Sequence, residues 1–192
     1  MWWRLAALGG AAATIACGGG STAPADEAPF DFEFTDVAGD TVAATANPEA
    51  LKGIDVLKVS GRIDRDKLIV VLEFAEAPAP WSASEPNSLD GFIDFDPDIT
   101  GDLKTTSGYY LDLRDNGAGQ AALVGVRQRT VTLVKVRFDG TRMEAEIPRT
   151  AISSTRDSDN QLQMAVEVGP RGRSPSDRSP NVGSHTLKPP TP

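Results

Sequence analysis

The chain has 192 residues, 40% of them hydrophobic, and carries 19 basic against 27 acidic side chains for a net charge of −8. That is enough to bury one sizeable core, so a single folded domain is expected. The acidic balance excludes a general phosphate-binding face, so nucleic acid is not an expected partner, and no apolar run reaches the ~18–20 residues of a membrane-spanning helix.

The first segment, Met1-Trp2-Trp3-Arg4, has one basic residue; Leu5 to Ala16 is then uncharged and rich in Ala, Leu, Ile and Gly. A basic start, an apolar stretch and small residues at its end have the form of a secretory signal. Cys17, the sole cysteine, follows at once. Ile15-Ala16-Cys17 resembles the lipobox of bacterial lipoproteins, with Thr14 where that family usually has leucine. The resemblance implies that residues 1–16 are removed and that Cys17 carries fatty chains, palmitate among them, as an anchor of outer-membrane type. The alternative is an ordinary signal peptide cut elsewhere. Residues 17–29 (through "GGGSTAPADEAP") are composed like a flexible leash that cannot pack a core.

From residue 30 the apolar period is two. Phe30, Phe32 and Phe34 alternate with Asp31, Glu33 and Thr35, the pattern of a half-buried strand. Ile54 to Ile63 makes the next strand, Asp64-Arg65-Asp66 a turn, and Leu68 to Phe74 a central strand buried on both faces. Tyr109 to Arg114 and Ala121 to Gln128 add two more. Val134, Val136 and Phe138 alternate with Lys135 and Arg137, and Asp139-Gly140 joins them to Met143, Ala145 and Ile147 as a hairpin. Pro148 to Ser153 suits one short turn, and Leu162, Met164, Val166 and Val168 give a further strand. The expected fold is all-β, an antiparallel, jelly-roll-like two-sheet β-sandwich of eight or nine strands over residues 30–187, with a loose tail at 188–192.

Asp36-Val37-Ala38-Gly39-Asp40-Thr41, Gly53-Ile54-Asp55-Val56, Leu68 to Phe74, and Gly91 to Gly101 occur in an order that resembles the β-sandwich modules related to family 9 carbohydrate-binding modules and DOMON domains. Members bind sugars, haem or calcium, or serve as structural appendages, so the resemblance implies a sandwich and leaves its ligand open.

Asp94, Asp96 and Asp98 alternate in "DFDPDITGD" and would project to one side of an extended backbone while Phe95 enters the core. Clustered carboxylates suit Ca²⁺, with further ligands from Asp112, Asp36 or Asp40; a solvated Asp-rich turn is the alternative. Trp81, in a Pro- and Ser-rich loop, offers a flat face for a sugar ring with Tyr109 and Tyr110 as neighbours, or else plugs one end of the sandwich. His185 is the only histidine and lies in a tail rich in Pro, Ser and Gly, where it reads as exposed or loosely packed. A Ser-His-Asp triad would need that tail to return to the core, zinc lacks its usual ligands, and no carboxylate pair stands out for glycoside hydrolysis. The expected function is therefore non-catalytic: a membrane-anchored extracytoplasmic module that binds a polysaccharide, with calcium as the expected stabilising ion. The alternatives are an accessory lipoprotein docked on an envelope protein complex and, last, a carboxylate hydrolase.

Overall fold

Phenylalanine alternating with polar residues makes Phe30–Thr35 the first strand, β1, with Phe32 turned into the core. In the computed structural model, residues 29–41, 53–84, 88–95, 108–114, 119–125, 129–152, 162–171, 177–180 and 184–187 are described. Ten further strands follow: β2 Val56–Ile63, β3 Lys67–Phe74, β4 Leu89–Phe95, β5 Tyr109–Asp112, β6 Gln120–Gly125, β7 Thr130–Asp139, β8 Arg142–Pro148, β9 Leu162–Pro170, β10 Asp177–Ser179 and β11 His185–Leu187. The fold is all-β and antiparallel, as expected, with eleven strands where eight or nine were expected. One 3-10 turn, Arg149–Ala151, falls in the expected place. Among the described residues no helix is long and apolar enough to cross a membrane.

The ladder runs β1-β2-β3-β8-β7-β6-β5-β4-β9-β10, with β11 also on β9. The long strand β7 makes it continuous. Its first half pairs with β6 from Thr130 to Lys135, and its second half with β8 from Lys135 to Asp139. The two sheets expected from the sequence are thus one continuous ladder that wraps, nearly closed, round a single core. Leu68, Leu72, Ile93, Leu111, Leu123, Met143, Ile147 and Met164 fill that core at 1% exposure or less.

The outward residues of β2, β3, β8 and β7 form rows of alternating charge. Lys58 pairs with Glu73 at 3.0 Å, Arg137 with Glu144 at 3.1 Å, and Arg142 with Glu144 at 2.9 Å. Such a face is solvated, and each exposed pair contributes at most about 1 kcal/mol. Close approach of strands shows at Gly61, where an added Cβ would lie 2.0 Å from the Ile69 carbonyl oxygen and 2.5 Å from the Phe32 ring.

β10 and β11 are two halves of one edge strand. Asp177 to Ser179 pair with Val168 to Val166, and His185 to Leu187 continue along the same strand with Met164 to Leu162. The Ser179 hydroxyl lies 3.0 Å from His185 Nε2, joining the halves across the residues between. This edge meets the other end of the ladder: His185 stacks on Phe34 of β1 with centroids 4.1 Å apart, and Asp177 accepts a hydrogen bond from the Val56 N–H of β2 at 2.5 Å. Side chains thus close the seam between the two ends of the sheet.

Candidate metal centre

The turn after β1 is fixed by its own polar groups. The Asp36 N–H donates to the Leu57 carbonyl at 2.8 Å, and Asp36 Oδ1 accepts the Val37 N–H at 2.9 Å. Gly39, at φ 77, takes a left-handed conformation that glycine adopts without strain. Its N–H donates to Asp55 Oδ2 at 2.9 Å, which folds the turn back and delivers Asp40 to the start of β2. Asp55 is 6% exposed between Ile54 and Val56, both core residues. Its carbonyl accepts the Ala75 N–H at 2.9 Å, so the backbone there is set by the strand pair. Asp177 is 4% exposed on β10; its carboxylate accepts from Val56 N–H and, at 2.9 Å, from Arg178 N–H.

These three segments bring one carboxylate oxygen each of Asp40, Asp55 and Asp177 to within 4.8 Å of one another. Two unit negative charges at that separation repel by roughly 3–4 kcal/mol at an effective dielectric of about 20. A hydrogen bond to a charged group returns about 1.5–3 kcal/mol, so donors, a proton or a cation can each relieve such a repulsion. Nearby, Lys58 pairs with Glu33 and Glu73, and Arg178 with Glu167. Among the described residues no cationic side chain pairs with Asp55 or Asp177. Burial first, and then the charges of Asp36 and Asp40, push the Asp177 carboxyl up to about 7, against the pull of its N–H donors.

Asp55 Oδ1 is buried and accepts no hydrogen bond among the described residues; the same holds for Asp36 Oδ2. A buried carboxylate oxygen without a donor is costly, and a cation is the partner that answers it. The donors are all oxygen, which suits a hard ion, and a span of up to 4.8 Å matches roughly twice the calcium–oxygen length of 2.3–2.6 Å.

The residues singled out in the sequence are distributed as follows. Asp40 belongs to the cluster, and Asp36 lies close enough for its charge to act on Asp177. Asp94 sits on β4, 3% exposed, on the face opposite the core residue Phe95; Asp96 and Asp98 lie outside the described residues, as does Cys17. Asp112 is held by Arg114, whose Nε donates to it at 2.8 Å. Tyr109 is a core residue, whereas Tyr110 faces outward, edge-on to Phe92 at 6.4 Å. Consecutive strand residues face opposite ways, so the two tyrosines do not form one stacking surface. Trp81 is half-buried in the segment between β3 and β4.

His185 corrects its expectation. It is neither exposed nor loose, because the tail returns as an edge strand and sandwiches the ring against Phe34; burial pushes its pKa down. The contact with Ser179 is half of a triad in outline only. Ser179 is fully buried, so its hydroxyl cannot meet an acyl carbon, and the pair serves as a staple.

Sequence reasoning missed Asp55 and Asp177. Asp55 had a signal, a lone charge between two apolar residues at a strand start; Asp177, in an Arg-, Ser- and Pro-rich stretch, had none. Compared with known protein families, with characterised proteins and with solved structures, the chain shows no match.

Proposed function

We propose that the chain is a lipid-anchored, extracytoplasmic binding module that acts without catalysis and is stabilised by one calcium ion held by Asp40, Asp55 and Asp177. The observation that carries the calcium assignment is the buried, unpartnered Oδ1 of Asp55 beside two further carboxylates. Calcium suits the site because it accepts carboxylates together with carbonyl and water oxygens in loose geometry, whereas magnesium demands a strict octahedron. The anchor rests on the lipobox-like Ile15-Ala16-Cys17, and acyl chains contribute about 0.8 kcal/mol per buried methylene. A polysaccharide is the ligand class of this reading, one of those bound by the modules the chain resembles, with Trp81 and Tyr110 as the stacking faces.

Two measurements test this reading. Mass spectrometry of the mature N-terminus should find an acylated Cys17; a bare N-terminus cut elsewhere contradicts the anchor. Melting the chain in calcium at about 100 times its dissociation constant and in chelator should separate the midpoints by about 5–10 °C, from a linkage of about 2.7 kcal/mol. Coincident midpoints contradict the calcium assignment.

A second reading, an accessory subunit docked on an envelope protein complex, draws on β7. Val131 and Leu133 are 64% and 53% exposed there, on the half of the strand that β8 does not reach. Co-purification of one stable partner, lost on Leu133→Lys, would favour it.

A further inference from the structure

We infer that the cation is the lock of the seam, so that its occupancy decides whether the interrupted edge strand β10–β11 is docked against β1 and β2. The inference rests on the calcium reading above and adds to it what the ion controls.

Its ligands lie on opposite sides of one boundary. Asp40 and Asp55 belong to the β1–β2 end of the ladder, and Asp177 to the β10 end. The ladder itself stops at both, so no backbone pairing among the described residues carries β10 onto β2. Among the described residues the boundary is crossed by the Val56 N–H bond to Asp177, the Phe34–His185 stack, the packing of β10 against β2 and the carboxylate cluster. Of these, the cluster is the one that a cation would draw together from both sides.

The edge strand also has the shortest pairings of the described sheet. Among the described residues β10 and β11 have three residues each and pair with β9, whereas β9 is held on its other side by seven residue pairs with β4. Loss of the ion therefore frees the edge strand before it disturbs β1 to β9. Local opening of a short, weakly paired element below the global transition is ordinary protein behaviour.

Arg178 reports the state of the lock. It follows Asp177 directly, and its side chain, 27% exposed, pairs with Glu167 on the outer face. Trypsin needs the backbone at Arg178 to leave β9 before it can cut. The experiment treats the full-length chain with trypsin in calcium and in chelator, follows cleavage after Arg178 and after Arg142 by mass spectrometry, and measures calcium binding directly on the same sample. The expected result is at least about tenfold faster cleavage at Arg178 in chelator, with Arg142 in the β7–β8 hairpin unchanged.

Asp177→Asn gives a second arm. It removes one negative charge and keeps an oxygen for the Val56 N–H while giving up the bond from the Arg178 N–H, so its cleavage at Arg178 in chelator should be slower than that of the ion-free parent. Equal cleavage in both conditions with calcium bound would overturn the lock and leave the calcium site standing. An Asp177→Asn chain as susceptible as the ion-free parent would overturn it too. Absence of calcium binding would overturn the site and the lock together.

Discussion

Asp177 is held near 7 by burial and by the charges of Asp36 and Asp40, against about 3.9 in an unfolded chain. Between these values the native state keeps a proton that the unfolded state has lost. In chelator, the stability that this residue contributes is full below about pH 4 and is lost as the pH rises through about 7. Burial of His185 acts with opposite sign, its contribution being lost as the pH falls below the ordinary histidine value. The difference between the parent and Asp177→Asn isolates the aspartate. Denaturant midpoints in chelator should show the variant gaining about 1–3 kcal/mol at pH 7.5 and nothing near pH 4; a gain that does not vary with pH contradicts the assignment. In calcium the order reverses, because the ion needs the carboxylate ionised and binds more tightly as the pH rises. The sequence reading placed ion chemistry at Asp94, Asp96 and Asp98, whereas the carboxylates that converge among the described residues are those of Asp40, Asp55 and Asp177. Asp40 could be named as a reserve ligand because it sits in a short Asp-rich turn. Asp177 lies 122 residues from Asp55 in the chain, and only the tertiary path of the edge strand brings them together.

The strands were the most legible elements, because a period of two written in Phe30, Phe32 and Phe34, or in Met143, Ala145 and Ile147, has one solution with a buried face. The Asp139-Gly140 turn and its hairpin register follow from the same pattern. What the pattern did not carry was the pairing of Asp177–Ser179 and His185–Leu187 with β9, because this Pro- and Gly-rich stretch shows no period of two. It also gave no sign that β7 joins the ladder into one sheet, pairing with β6 along its first half and with β8 along its second. Gly61 shows how tightly β1, β2 and β3 are set. Gly61→Ala would drive a methyl group into the Ile69 carbonyl and the Phe32 ring. Overpacking of this kind should lower stability by about 1–3 kcal/mol in a denaturant titration. An alanine variant as stable as the parent would contradict this close approach of the strands.

At the scale of the whole molecule, a sheet that wraps round one core leaves a boundary where its ends meet, and this chain gathers four aspartates, Asp36, Asp40, Asp55 and Asp177, at that boundary. Under the proposed reading, a calcium ion bound among these buried carboxylates completes the closure of the fold. The most direct test is titration of calcium into the chelator-stripped chain, beside Asp55→Asn and Asp94→Asn. We predict one ion per chain for the parent and for Asp94→Asn, and loss of binding in Asp55→Asn. Retention of the site in Asp55→Asn with its loss in Asp94→Asn, or no binding by the parent, would contradict the account.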